Sequence, residues 1–183
     1  MVRPVHVRMD QDFGVTGSHT EVELLVDVPA DRLWEAITDL SRIGDWSPEC
    51  TYAGWLDGWS EPVVGARFEA RNRFAGGLVT QVVCLVVAAD RPFSFGWKVF
   101  GGSPDTEEHF AAWHYELRPA EQPDRTVVRQ SFTHGPGDSG ARAAVRADPG
   151  NAAALLRGRL DQLRRNMAVT IEAMVRDIRN EGV

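Results

Sequence analysis

The sequence is poor in the residues that metal and disulfide sites need. Of its 183 residues only two are cysteines and five are histidines. Cys50 and Cys84 form no Cys-X-X-Cys pair and lie in no histidine-rich stretch, so free thiols in a cytoplasmic protein are favoured over a zinc site or a disulfide framework. His109 and His114 are five residues apart on a predicted strand and therefore face opposite sides. We expect neither a metal nor a cofactor.

Long apolar runs are also lacking. The longest, VVCLVVAA at residues 82–89, is much shorter than the roughly 20 apolar residues that cross a bilayer as a helix. The first residues do not show the charged and apolar regions of a signal peptide. We therefore expect a cytoplasmic protein without stable membrane insertion.

Positive charge is in deficit. Lysine and arginine total 20 against 26 aspartate and glutamate, a net charge of -6. Nucleic-acid binding needs clustered basic residues, and the one arginine-rich stretch, residues 157–165, is interrupted at helical spacing. The composition therefore argues against a nucleic-acid partner. The sequence also contains neither a nucleophile elbow nor a glycine-rich phosphate loop.

What the sequence does contain is a clear alternation of strands and helices. Val22, Leu24, Val26 and Val28 alternate with mostly charged residues, which predicts a first strand from Thr20. A short helix follows, with apolar residues at helical spacing, and a second helical turn is predicted at residues 41–46 before Pro48. Six further strands separated by turn signals are predicted at residues 49–57, 65–74, 77–90, 92–100, 107–118 and 124–134.

The last quarter of the chain is predicted to be mainly one helix. Residues 135–150 have glycine and proline at both ends, which predicts a loop or a short insertion. Over residues 151–181 an apolar stripe repeats at three- and four-residue steps; its members are Leu156, Leu160, Leu163, Met167, Ile171, Met174 and Ile178. We expect an N-terminal arm at residues 1–19 and a single domain at 20–183.

Three segments resemble the SRPBCC superfamily of helix-grip proteins, which includes START domains and the birch-pollen-allergen family. They are VELLVDVPADRLWEAITDLSRIGDWSP at 22–48, VGARFEARNRF at 64–74 and RPFSFGWKV at 91–99. The likeness is to the polyketide cyclase/dehydrase-like branch. It implies an α+β fold in which a strongly curved antiparallel sheet of about seven strands is crossed by a long C-terminal helix, with two short helices after the first strand.

The resemblance also implies a function. The expectation is binding of a small hydrophobic molecule, such as a lipid, an isoprenoid or an aromatic polyketide, in a cavity between the sheet and the C-terminal helix. The alternative is a cofactor-independent polyketide cyclase, aromatase or dehydratase acting in the same cavity. The small molecule is the expected partner, and the oligomeric state is open, with a homodimer among the options.

Strand alternation predicts which side chains line the cavity. Inward-facing polar groups need partners when they are buried, and either a ligand, mutual hydrogen bonds or solvent at strand ends would supply them. Trp46 is either a core plug or a gate residue. No catalytic residue is assigned, and His134 and Tyr115 are the candidates for acid–base work. The predicted ligand-binding residues are Trp46, Phe68, Asn72, Trp97, Trp113, Tyr115, Gln130, Phe132, His134, Met167 and Met174.

Overall fold

The computed structural model describes residues 12–122 and 124–181. Its strands are β1 (His19–Val26), β2 (Cys50–Trp55), β3 (Arg67–Arg73), β4 (Val79–Asp90), β5 (Ser94–Phe100), β6 (Ala111–Pro119) and β7 (Thr126–His134). Its helices are α1 (Ala30–Thr38), α2 (Ile43–Trp46), α3 (Gly140–Ala147) and α4 (Ala152–Glu181), with 3₁₀ turns at Leu40–Arg42 and Pro149–Asn151.

The seven strands form one strongly curved antiparallel sheet in the order β1-β7-β6-β5-β4-β3-β2. From β2 to β7 each strand pairs with the next one along the chain, as short turns between strands favour. β1 returns beside β7, so β1 and β2 lie at opposite edges of the sheet. The connection between them therefore has to cross the fold, and it contains the two short helices α1 and α2. The predicted helix-grip architecture is confirmed.

Helix α4 packs along the inner face of this sheet. Leu163, Met167, Ile171 and Met174 recur at three- and four-residue steps, so they share one side of the helix. All four are at most 2% exposed and lie in one core with inward residues of the sheet. Burying each such side chain contributes about 1.5–3 kcal/mol, which makes this stripe the main attachment of the helix.

Three sequence expectations are wrong in detail. The predicted loop or insertion at residues 135–150 contains helix α3, which Ser139 caps by accepting from the Arg142 amide at 3.2 Å. The strand predicted to start at residue 107 starts at Ala111. The strand predicted to start at residue 92 starts at Ser94, because Phe93 closes a turn in which its amide donates to the Asp90 carbonyl at 2.6 Å, and Phe93 is 47% exposed.

Part of the predicted N-terminal arm is packed against α3. Val15 is fully buried in a small cluster with Val145 and Ala152. The buried guanidinium of Arg142 pairs with Asp12 and donates to the Thr16 hydroxyl at 2.8 Å. Residues 1–11 of the arm lie outside the described residues. In the part of the chain that the structure describes, none of the helices is both long and apolar enough to span a membrane.

Candidate ligand-binding site

The register of the sheet arranges the inward side chains of neighbouring strands in rows. Tyr115 of β6 lies opposite Gln130 of β7, and Trp113 lies opposite Phe132. Trp113 also lies opposite Trp97 of β5. Every second residue of β7 from Thr126 to His134 is buried, so the alternation predicted for β6 and β7 is confirmed. Six of the predicted ligand-binding residues therefore lie on three neighbouring strands, β5, β6 and β7. They are Trp97, Trp113, Tyr115, Gln130, Phe132 and His134.

Aromatic rings form a continuous chain along the inner face. Ring centroids are 6.0 Å apart for Phe68 and Trp97 and 6.3 Å apart for Trp97 and Trp113, whose planes differ by only 16°. Phe132 continues the chain, 4.8 Å from Trp113 and 4.7 Å from the His134 ring. Trp97 and Trp113 are only half-buried, although most of their neighbours on the inner face are fully buried. Flat, partly uncovered rings are what an apolar or aromatic ligand stacks on.

Two buried polar side chains on this face are left without partners. Gln130 and His134 are each 5% exposed. In the described part of the chain, Gln130 Oε1 and both ring nitrogens of His134 are inaccessible to water and have no hydrogen-bond partner. An unpaired buried polar group costs about 1–3 kcal/mol. Gln130 Oε1 and the His134 ring nitrogens do not hydrogen-bond one another.

The surroundings keep His134 neutral. Burial is the main cause that lowers the pKa of its imidazole, and the charges of Arg159 and Arg142 lower it further. The Phe110 carbonyl and the charge of Asp12 act in the opposite direction and raise that pKa. A neutral imidazole offers one donor and one acceptor.

Tyr115 is a neutral hydrogen-bonding group as well. Its side chain is 3% exposed, and burial strongly raises the pKa of its hydroxyl. The phenol therefore stays protonated at any physiological pH, with a donor proton available. With Gln130 and His134, it gives the inner face polar groups that carry no charge.

Trp46 lies away from this set. Its Nε1 donates to Asp177 Oδ2 at 2.7 Å, and Arg42 lies over its ring at 4.7 Å. Arg42 also pairs with Asp177 at 2.9 Å. This arrangement ties α2 to α4 and is what a core plug requires; a gating role for Trp46 stays a prediction.

Asn72 and the two methionines occupy other parts of the interior. Asn72 lies on β3 in register with Cys50 and Thr80, with three strands between it and β7. Met167 and Met174 are buried on the sheet side of α4. Methionine side chains adapt to irregular shapes, so they can fill the space between α4 and the sheet in more than one way.

Two surface cavities lie outside the predicted site. One, of about 760 Å³, lies on the outer face of the sheet, where Arg129 pairs with Glu21 and Glu116. The other, of about 430 Å³, lies between β2 and the turn at Leu40–Arg42. Its wall includes Trp55, whose ring is 5.8 Å from Phe68. This second cavity therefore borders the start of the aromatic chain.

The sequence reasoning missed two residues of this region. Trp55 lies in a predicted strand whose facing was not assigned. Ser18 precedes β1, and its carbonyl accepts from the His134 amide at 2.9 Å. The Ser18 hydroxyl is buried without a partner. Only the pairing of β1 with β7 reveals this neighbour of His134.

Among residues 12–122 and 124–181, no group of three or more His, Cys, Asp or Glu side chains could hold a metal ion.

Comparison with known proteins agrees with this geometry. The model of the family described as polyketide cyclase/dehydrase and lipid transport matches residues 18–168. No curated protein matches the sequence.

Solved structures share the fold over nearly the whole chain. The Polyketide_cyc-like protein Cgl2372 from Corynebacterium glutamicum is 25% identical, with 89% of this chain and 92% of that chain covered and a TM-score of 0.60. The Zhui aromatase/cyclase from Streptomyces sp. R1128 is 15% identical, with 91% and 96% covered and a TM-score of 0.66. Ara h 8.0201 is also 15% identical, with 89% and 98% covered and a TM-score of 0.55. The chain therefore belongs to the polyketide cyclase/dehydrase and lipid transport family, within the SRPBCC helix-grip superfamily.

Proposed function

We propose that this protein binds a small, mostly apolar molecule between the inner face of the sheet and α4. The observation that carries the proposal is the unpartnered, buried polar groups of Gln130 and His134 among aromatic side chains. Ligand sites are typically apolar surfaces with a few placed polar groups. A bound molecule would supply the missing hydrogen bonds and cover the exposed parts of the Trp97 and Trp113 rings. The family's description, which includes lipid transport, supports the same class of ligand.

A matched pair of variants on β6 tests this proposal. Ala111 points inward and is 3% exposed, whereas its neighbour Ala112 is on the outer face. The neutral fluorophore N-phenyl-1-naphthylamine should bind the natural protein with a saturable rise in fluorescence. In Ala111→Leu the added side chain should reduce its affinity at least tenfold, while Ala112→Leu should bind as before. Circular dichroism would establish that both variants are folded. Equal affinities in the two variants would place the probe elsewhere and contradict the proposal.

A second candidate function is cyclisation of a linear poly-β-ketone. It is favoured by one observation, the neutral and unpartnered imidazole of His134. That imidazole could take a proton from a carbon between two ketones, and the carbon would then form a bond to a further carbonyl carbon. The resulting alkoxide would recover the proton from the imidazolium, and loss of water would follow. The likeness to an aromatase/cyclase supports this chemistry.

The two functions can be separated by one substitution. His134→Gln should retain binding of N-phenyl-1-naphthylamine in both cases, because the aromatic rings remain. If the protein is a cyclase, the natural chain should convert a synthetic poly-β-ketone thioester to cyclised products that chromatography resolves, and His134→Gln should lose most of that rate. Identical product formation with and without the natural protein would rule out the cyclase function and leave the binding function in place.

A further inference from the structure

The polar groups of the inner face are separated along β7 by a fixed distance. Gln130, Phe132 and His134 are successive inward-facing residues of this strand. With a rise of 3.3–3.4 Å per residue, the backbone positions of Gln130 and His134 are about 13 Å apart. The inner face of β7 therefore has two polar residues, Gln130 near its middle and His134 at its end, with the aromatic Phe132 between them.

The first polar end consists of Gln130 and Tyr115. The two residues are direct partners across β7 and β6. Gln130 Oε1 is a buried acceptor without a donor, and the Tyr115 hydroxyl is a neutral donor. This end can therefore bind a hydroxyl group, which both accepts and donates.

The second polar end consists of His134 and Ser18. Their backbones pair through the His134 amide and the Ser18 carbonyl at 2.9 Å. The Ser18 hydroxyl and both imidazole nitrogens are buried without partners. Three such atoms in one place again suit a group that both donates and accepts.

Between the two ends the surface is aromatic. Phe132 lies between Gln130 and His134 on the strand, and Trp113 and Trp97 extend its row across the sheet. The Trp97 and Trp113 rings are nearly parallel, at 16°. Such a surface matches a flat, rigid skeleton better than a flexible chain, because a rigid skeleton loses less conformational freedom on binding.

The charged groups nearest to His134 already have partners. Arg142 pairs with Asp12, and Arg159 forms two bonds with the Glu49 carboxylate at 2.6 and 2.8 Å. A carboxylate on the ligand would have to compete with Asp12 and Glu49 for these two guanidinium groups. The site is therefore suited to an uncharged molecule.

We infer that the ligand is an uncharged, flat molecule with a hydroxyl-type polar group at each end, held by Gln130 and Tyr115 at one end and by His134 and Ser18 at the other. With hydrogen bonds of about 2.8 Å at both ends, its two polar atoms are roughly 7–13 Å apart. This inference rests on the proposed binding function, and it separates this site from one that takes fatty acids.

Three probes with one skeleton test the inference by isothermal titration calorimetry. They are fluorene, 2-hydroxyfluorene and 2,7-dihydroxyfluorene, which are flat, neutral and differ only in the number of polar ends. Dodecanoate serves as the lipid probe. Each hydroxyl should improve affinity by about threefold to tenfold, so the diol should bind most tightly, and dodecanoate should bind more weakly than the diol.

Variants at each end give the diagnostic result. In Gln130→Leu and in His134→Leu the advantage of the diol over 2-hydroxyfluorene should disappear, while fluorene should bind at least as well as before. The double variant should bind all three probes alike. Ser131→Ala, on the outer face of the same strand, is the control and should keep the natural order. Because the two ends are tested independently, one variant that does not fold leaves the other to decide.

The outcomes distinguish this inference from the function on which it rests. Equal affinity for the three fluorenes in the natural protein would overturn the two-ended site and leave the binding function intact. Tighter binding of dodecanoate than of the diol would do the same and assign a lipid ligand. Failure of all four probes and of N-phenyl-1-naphthylamine to bind would overturn the binding function and the inference together.

Discussion

At the scale of single residues, His134 is the most informative side chain of the molecule. It ends β7, contacts Phe132 and has two ring nitrogens that are buried without partners. Arg159, Arg142 and Asp12 are the charged groups that act on it. The fold therefore keeps an imidazole neutral where an ordinary core would have an apolar residue.

This burial makes stability depend on pH in a defined direction. The pKa of His134 is lowered in the folded state, so between that value and its unfolded value of about 6.5 the unfolded chain binds more protons. The free energy of unfolding should therefore fall as the pH drops below about 6.5, until the lowered pKa is passed. Urea unfolding from about pH 7.5 to 5.5 should show a smaller fall for His134→Gln than for the natural protein. Parallel pH dependences would mean that His134 titrates normally when folded.

Trp46 differs from His134 because the polar atom of its side chain has a hydrogen-bond partner. Its indole N–H donates to the Asp177 carboxylate at 2.7 Å and so connects α2 with α4. Trp46→Phe should lower the free energy of unfolding by about 1–2 kcal/mol, since a hydrogen bond to a charged group is lost. Trp59, 40% exposed, provides the control, and Trp59→Phe should change stability by less than about 0.5 kcal/mol. A Trp46→Phe variant as stable as this control would show that the hydrogen bond contributes nothing.

At the scale of elements, the region from β6 to α4 shows which features can be predicted from the sequence and which cannot. The apolar stripe of α4 and the alternation of β6 and β7 are local patterns, and both are confirmed. The segment that contains helix α3 was predicted as a loop or a short insertion because glycine and proline flank it, although Ser139 is a good capping residue. The burial of Arg142 could not be predicted from the sequence. One partner, Asp12, is far away along the chain, and another, the Gly135 carbonyl, is a backbone atom that no sequence pattern marks.

The same segment allows a matched comparison of two glycines. A Cβ atom at Gly135 would lie 2.2 Å from the His109 carbonyl oxygen, whereas one at Gly140 in α3 would meet nothing within 4 Å. Gly135→Ala should therefore lower the free energy of unfolding by about 1–3 kcal/mol through forced backbone movement. Gly140→Ala should be neutral or stabilising by up to about 1 kcal/mol, because alanine favours the helix. Urea denaturation of both variants would decide, and equal stabilities would mean that the segment after β7 is not held against residues 108–109.

At the scale of the whole molecule, the interior between the sheet and α4 contains both apolar core residues and a few buried polar residues. Most of it is ordinary core, such as Ile171 and Val128, which are fully buried. The polar part at Gln130 and His134 contributes nothing to such a core and costs stability as it stands. The sequence predicted these two residues as inward-facing, because strand alternation is a local property. Their lack of partners depends on every element around them and could be found only in the structure.

The central claim is that this interior binds a small molecule, and indole N–H signals in NMR test it at the level of individual residues. The six tryptophans give six indole signals, which single Trp→Phe variants would assign. On titration with 2,7-dihydroxyfluorene, the account predicts large shifts for Trp97 and Trp113 and none for the exposed Trp59. Shifts confined to Trp59, or unchanged signals for Trp97 and Trp113 at saturating probe, would contradict it.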